Sequence, residues 1–324
     1  MPGLRPEWRR LVAGLALSAT SLAAAGNARA LTSELKDAAP DRIERQRAAE
    51  AGRLPLAKTP DLARLDERLS NAGLEAGAPV LIRVFKASSE LEVWLEKGDR
   101  FVLFATYPIC NWSGTLGPKL KEGDKQTPEG FYTITRRQTR HLGRWRNAIN
   151  LGFPNVYDKS LGRSGSYILM HGGCSSVGCF AMTNAVMKEL YELTQTAIKK
   201  GQRHVPVHVF PFRMTDKALA ARRQHAWGPF WTALKAGYDS FERTRKPPRI
   251  TVCKRDYYVE DAGSETALAP PSSSRTRSSR NQGPGAIRTA CPKPDVAESA
   301  QDNGASVKKT ADVKHQDAKR RATR

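Results

Sequence analysis

"ILMHGGCSSVGCFAMTN", residues 168–184, is the stretch on which the reading of this chain turns. Three apolar residues lead into His171. Three glycines, two serines and two cysteines then fall within the next eight positions. Four chemistries fit an imidazole and two thiols in so little bulk: a metal site, a redox pair, a disulfide staple, or a cysteine nucleophile with its base. Zinc asks for three or four ligands, commonly in closely spaced pairs. No second Cys/His pair stands elsewhere, so a metal site is not expected. Cys174 and Cys179 are too far apart for a C-x-x-C redox motif, and a bridge between them would close only a small loop. The nucleophile reading uses every residue type present. A free thiol is mostly protonated at neutral pH, and a neighbouring imidazole can take its proton. Glycines let a substrate backbone approach and let main-chain N–H groups face a developing oxyanion. Spacing alone leaves this reading beside the plainer one of a structural histidine.

Working outward, "YILMHGG" reads as a strand ending in glycines. "NAVMKELYELTQTAIKKG" reads as a helix with Val186, Leu190, Leu193 and Ile198 on its apolar side and Gly201 as its stop. Cys179, close to the start of that helix, is expected to gain thiolate stabilisation from the helix N-terminus. Upstream, "APVLIRVFKASSELEVWLEKGDRFVLFATYPI" contains three runs rich in Val, Ile, Phe and Leu, separated by turn-like "KASSE" and "KGDR": a β-meander. "CNWSGTLGPKLKEGDKQTPEG" is a Gly/Pro-punctuated loop, "FYTITRR" a further strand, and "AINLGFPNVYDKSLGRSGS" a long loop with little regular structure. "HVPVHVFPF" closes the domain as a strand. Beyond it Thr215 or Asp216 is placed to cap one helix. Trp227, Phe230, Trp231, Leu234 and Tyr238 give a second helix an aromatic face. Before the meander, Leu62, Leu65 and Leu69 mark a short amphipathic helix, preceded by a looser connector.

The ends of the chain set the compartment. Arg5, Arg9 and Arg10 precede a run of small and apolar residues at 11–25, and Ala28 and Ala30 give a small-x-small cleavage pattern. This is the layout of a secretory signal peptide. The apolar run is short against the roughly 20 residues of a spanning helix, so cleavage after Ala30 is expected, with no stable membrane span afterwards. The protein is therefore expected in the periplasm or cell envelope. The formal charge of +21 favours contact with polyanions, but export weighs against nucleic acid and for acidic wall material. From Ala262 onward Ser, Pro, Gly and mixed charges predominate, with 12 basic against 6 acidic residues, and a disordered basic tail is expected. The resulting organisation is a signal peptide at 1–30, a helical segment and linker at 31–77, a catalytic domain at 78–213, a helical extension at 214–261, and the tail at 262–324. The five cysteines are an odd number, so at least one is free or paired outside the chain. A free thiol in an oxidising compartment suggests a use.

"HGGCSSVGCFAM" resembles the active-site segment of the L,D-transpeptidase catalytic-domain family, also called the YkuD fold. His171-Gly172 and Ser176-Val177-Gly178-Cys179 match the family's His-Gly and Ser-x-Gly-Cys elements. "TPEGFYTI" at 127–134 resembles its Thr-Pro-x-Gly-x-Phe segment. With "GRSGSYILMHGGCSSVGC" and "VPVHVFPFRMT", the chain looks like the YafK-type branch over about residues 79–245. The resemblance implies a mostly β, sandwich- or barrel-like catalytic domain with accessory helices. It implies Cys179 as nucleophile and His171 as proton acceptor and donor, with a Gly172 or Gly173 carbonyl orienting the imidazole. Ser176 belongs to the motif, and the Gly178 and Cys179 N–H groups would form the oxyanion hole. The implied reaction is acyl transfer on peptidoglycan stem peptides, with an amine of another stem or of an envelope-protein lysine as acceptor. The same site could instead hydrolyse peptidoglycan–peptide or peptidoglycan–protein links. A reading of a different class is a non-catalytic wall-binding protein. The sequence departs from the family in lacking a second histidine before Gly178 and in carrying Ala181 where an arginine is common. Lys119, Arg163 and Arg213 are the candidate substitutes for substrate carboxylate binding. Tyr167 is a further candidate, although its place on the strand suggests packing. Cys110 and Cys174, both in loops expected near the catalytic face, are a candidate pair.

Overall fold

The computed structural model describes residues 42–263, 285–289 and 291. The expected signal peptide and most of the expected tail lie outside the described residues. The first helix, α1 (Arg42–Glu50), occupies the region expected to be a loose connector. A 3₁₀ turn (Leu62–Arg64), capped by the Asp61 side chain, runs into α2 (Leu65–Asn71). Leu69 is buried, and Leu62 and Leu65 pack against the same core.

The meander forms β1 (Val80–Phe85), β2 (Glu90–Lys97) and β3 (Arg100–Pro108), paired antiparallel in sequence. Every residue of β1 is buried, which is why it reads as an apolar run, broken only by the buried Arg83, rather than an alternating one. β4 (Asn111–Trp112) is short, β5 (Gly130–Ile134) follows the long loop, and β6 (Ile149–Asn150) is again short. A helical turn, α3 (Val156–Ser160), stands where the sequence suggested only loop. Its signal is a capping box: Asn155 Oδ1 accepts the Asp158 N–H at 2.8 Å, and Asp158 Oδ2 accepts the Asn155 N–H at 3.1 Å. Then come β7 (Leu169–His171), β8 (Phe180–Ala181), α4 (Asn184–Lys199, capped by Thr183) and β9 (Val205–Phe210).

Two sheets share one core. The larger has the order β3-β2-β1-β9-β5, with β9 parallel to β1 and antiparallel to β5. The smaller has the order β4-β8-β7-β6 and holds the glycine-rich segment. Val186, Leu190 and Leu193 of α4 are buried with Met170, Phe180 and Met182 of the smaller sheet and its margin, and with Ile82 and Val207 of the larger. The architecture is mostly β, with helices as flanking elements.

α5 (Asp216–Ala220) is capped by the Thr215 hydroxyl, and α6 (Gly228–Thr244) presents Phe230, Trp231 and Leu234 to the core. The extension does not end as a helix. β10 (Arg249–Cys253) and β11 (Asp256–Glu260) form a hairpin, and β12 (Arg288–Thr289) pairs parallel to β10. A Cys253–Cys291 disulfide joins this part of the tail to the hairpin. This short strand, Arg288–Thr289, falls within the segment expected from Ala262 onward to be an unstructured tail. Among the described residues no helix is long and apolar enough to cross a membrane.

Candidate active site

The site begins with strand register. β7 and β8 run parallel, with Met170 opposite Phe180 and His171 opposite Ala181. Cys179 immediately precedes β8, and its Sγ accepts the Leu169 N–H at 3.4 Å. His171 thus ends β7, and Cys179 stands just before its parallel neighbour β8, at the margin of the smaller sheet. A hydrogen bond from Met182 N–H to His171 O at 2.8 Å closes the loop between them.

His171 is buried, with 3% of its surface exposed. Its Nδ1 lies 2.6 Å from the Gly172 carbonyl. A carbonyl only accepts, so Nδ1 carries the proton and Nε2 keeps a lone pair. Gly172, rather than Gly173, supplies that carbonyl. The Trp145 indole stacks on the imidazole, with centroids 4.5 Å apart and planes 20° off parallel. A Cβ at Gly173 would collide with the Trp145 ring, and the Gly173 φ of +91° suits glycine. Burial lowers the His171 pKa; the Gly172 hydrogen bond opposes this and the charge of His141 adds to it.

Burial also raises the Cys179 pKa, against the Leu169 N–H and the positive charge of Lys119. Both groups are therefore held toward their neutral forms: a thiol and a free imidazole base, not a standing thiolate–imidazolium pair. The expected help from a helix N-terminus is not available. α4 starts at Asn184, with β8 in between, and the dipole effect fades within the first turn.

Hydroxyls fix the backbone around Cys179. Ser176 Oγ donates to the Cys179 carbonyl at 2.6 Å and Thr127 Oγ1 donates to it at 3.3 Å. The Gly178 N–H donates to Ser113 Oγ, so it is not a free oxyanion donor in this state. Ser113 follows β4, which pairs with β8, and sequence reasoning missed it. A pairing of Thr127 with Ser113 (N–H to carbonyl, 2.9 Å) ties their two segments together. Behind them lies a fully buried ion pair, Lys86 with Glu129 at 2.9 Å. Lys86 Nζ also donates to the carbonyls of Thr115, Gly117 and Thr127, and Glu129 accepts Trp231 Nε1–H.

The cysteines divide cleanly. Cys110 is bonded to Cys174, Cys253 to Cys291, and Cys179 is free. Leu56, with Ala48 and Ala49 of α1, covers the Cys110–Cys174 bridge. Gln46 Oε1 accepts Asn111 Nδ2–H at 2.9 Å, and Arg45 donates to Ser89 O at 2.7 Å, which docks α1 beside β4.

The four candidate substrate residues part company. Lys119 is buried and ion-paired with Asp124, although its charge still reaches Cys179. Arg163 is buried against Asp158 at 2.8 Å. Arg213 pairs with Glu90 at 2.9 Å and Glu92 at 2.7 Å. Tyr167 is not a packing residue: it is 69% exposed, has a φ of +54°, and its carbonyl lies 3.8 Å from Cys179 Sγ. Only Tyr167 and Lys119 are thus tied to the Cys179 environment. Among the described residues no group of three or more His, Cys, Asp or Glu side chains is placed to hold a metal ion.

A buried imidazole and a free thiol thus lie at the two ends of a glycine-rich turn at the margin of the smaller sheet. The YkuD family, described as the L,D-transpeptidase catalytic domain, matches residues 79–209. The protein of Escherichia coli (strain K12) named "Putative L,D-transpeptidase YafK" is 42% identical over 194 residues, covering 60% of this chain and 79% of that one. The chain belongs to the L,D-transpeptidase family. Among solved structures, the helical cell shape determining protein Pgp2 from Campylobacter jejuni aligns with a TM-score of 0.32 and 21% identity, over 56% of this chain and 68% of that one. Bd1075 of Bdellovibrio bacteriovorus aligns with a TM-score of 0.30 and 22% identity, over 52% and 62%. Neither likeness is close enough to carry weight.

Proposed function

We propose that the protein is an exported, cysteine-dependent acyltransferase acting on peptidoglycan stem peptides in the cell envelope. The observation that carries this reading is the single free thiol, Cys179, one residue before the strand that pairs with the His171 strand, together with an imidazole whose Nδ1 is committed to Gly172 O. That arrangement leaves Nε2 as the base. As Sγ bonds to the carbonyl carbon at the L-centre of the third stem residue, Nε2 takes the thiol proton. The tetrahedral intermediate collapses to a thioester, and the departing D-alanine amine takes the proton from His171. An acceptor amine, from another stem peptide or a protein lysine, then attacks the thioester. It gives its proton to His171, and the thiol is restored. Ser176 and Thr127 hold the Cys179 peptide still through these steps, which limits the reorganisation the transition state requires. Ser113 must release the Gly178 N–H before that group can serve an oxyanion.

The test is to incubate the mature protein with a defined tetrapeptide muropeptide, with and without an amine acceptor, and to weigh the products. Loss of D-alanine with formation of a new amide supports transfer. Loss of D-alanine to water alone moves the reading to hydrolysis, and an unchanged muropeptide refutes it.

A further inference from the structure

The segment from 136 to 146, "RRQTRHLGRWR", carries five arginines, one histidine and no acid. Its root is anchored. Gln138 O accepts the Asn150 N–H at 2.9 Å, and the Thr139 carbonyl accepts Tyr191 O–H at 2.9 Å. Its tip is open: Arg140, Arg144 and Arg146 are exposed, as are Arg136 and Arg137 at the root. None of the five forms an ion pair with a described residue, whereas Lys119, Arg163 and Arg213 are each committed to carboxylates of the protein. The loop is also tied directly to the candidate base. Trp145 stacks on His171 and rests against Gly173, and the Arg144 guanidinium sits 4.9 Å from the Trp145 ring centroid.

A loop of like charges repels itself, and an anion relieves the repulsion. Guanidinium groups match carboxylates in a planar, two-point geometry. The proposed acyl donor is a peptide bearing carboxylates. We infer that the 136–146 loop is the carboxylate-recognition element of this site, with Arg140, Arg144 and Arg146 gripping carboxylates of the donor peptide while Trp145 sets the loop over His171. This rests on the acyltransferase reading above and names the donor contact within it. The arginines touch the substrate away from the reacting carbonyl, so their effect falls on binding.

The experiment measures release of the terminal residue, as D-alanine from a stem tetrapeptide with free carboxylates and as D-alaninamide from the same peptide with its carboxylates amidated, at two salt concentrations. It uses the wild-type protein and the triple variant Arg140→Glu/Arg144→Glu/Arg146→Glu. The wild type should prefer the free-acid peptide in KM by about tenfold or more, the scale of one charge-assisted contact, and lose part of that preference at high salt. The variant should raise KM for the free-acid peptide by a similar factor and bring the two peptides close to parity, with an unchanged thermal melt. Equal KM values for both peptides with the wild type, or an unaltered preference in the variant, overturns the inference while leaving the acyltransferase reading intact. Release of the terminal residue from neither peptide by the wild type overturns both.

Discussion

Two loops meet at His171, and they are built in opposite ways. The loop from His171 to Met182 is held on every side. Cys174 is bridged to Cys110, the Cys110 N–H donates to Ala181 O at 2.9 Å, and the Cys179 carbonyl accepts two hydroxyls. The loop at 136–146 is fixed at its root and, beyond it, by the Trp145 stack. The first loop carries the proposed reacting groups and the second carries five exposed arginines. Chemistry that depends on short distances gains from a fixed scaffold, whereas a recognition surface needs its charged groups free of internal partners. The contrast between Arg144, exposed and without an ion pair among the described residues, and Arg163, buried on Asp158, is the same division at the level of two side chains.

The comparison breaks most visibly at the base. His171→Ala should cut turnover by about 10²–10⁴-fold. Activity should partly return only at high pH, because burial raises the Cys179 pKa above the ordinary thiol value and the thiolate no longer forms by internal transfer. A pH–rate profile of the variant measures this, and retention of most neutral-pH activity would remove His171 from the mechanism. The next effect tests the scaffold. Lys86→Met leaves Glu129 as a buried, unpaired carboxylate and should cost about 3–5 kcal/mol, read from urea unfolding. Turnover should fall with it, since Lys86 also holds the Thr127 carbonyl. Opening the Cys110–Cys174 bridge by Cys174→Ser should cost about 2–4 kcal/mol, yet leave measurable turnover, because the thiol lost is not the proposed nucleophile.

A smaller effect probes the contact between the loops. Burial lowers the His171 pKa, so the neutral, base-competent imidazole persists below the usual histidine value of 6.5. The acid limb of kcat/KM should lie below that pH in the wild type. Trp145→Ala admits water to the ring and should move the limb upward, toward 6.5. A limb that stays in place would mean that Trp145 does not cover the working base.

Much of the frame is legible in the sequence, for physical reasons that can be named. β1 and the helix after Thr183 carry strong apolar patterns. The β10–β11 hairpin was hidden because its turn uses Lys254 and Arg255, both at positive φ (47° and 71°), where Asn-Gly or Asp-Gly is the usual signal. The pairing of four cysteines depends on which loops meet in space, so an odd count could say that at least one thiol is free or paired outside the chain, but not which. The carboxylates that occupy Lys119 and Arg163 lie only five residues away in each case and could have been noticed. Those that occupy Arg213 lie on β2, far off in the chain. The arginine-rich loop was overlooked because nothing in its composition shows that Trp145 folds back onto His171.

The central claim is that Cys179 is the acylated atom. The direct measurement is peptide mapping by mass spectrometry after exposure of the intact protein to a carbapenem, a strained acyl donor that traps a nucleophilic thiol. The account predicts one added carbapenem mass on the peptide that contains Cys179, absent in Cys179→Ser, with Cys110, Cys174, Cys253 and Cys291 unmodified. An adduct on another residue, or the same adduct in Cys179→Ser, would contradict it.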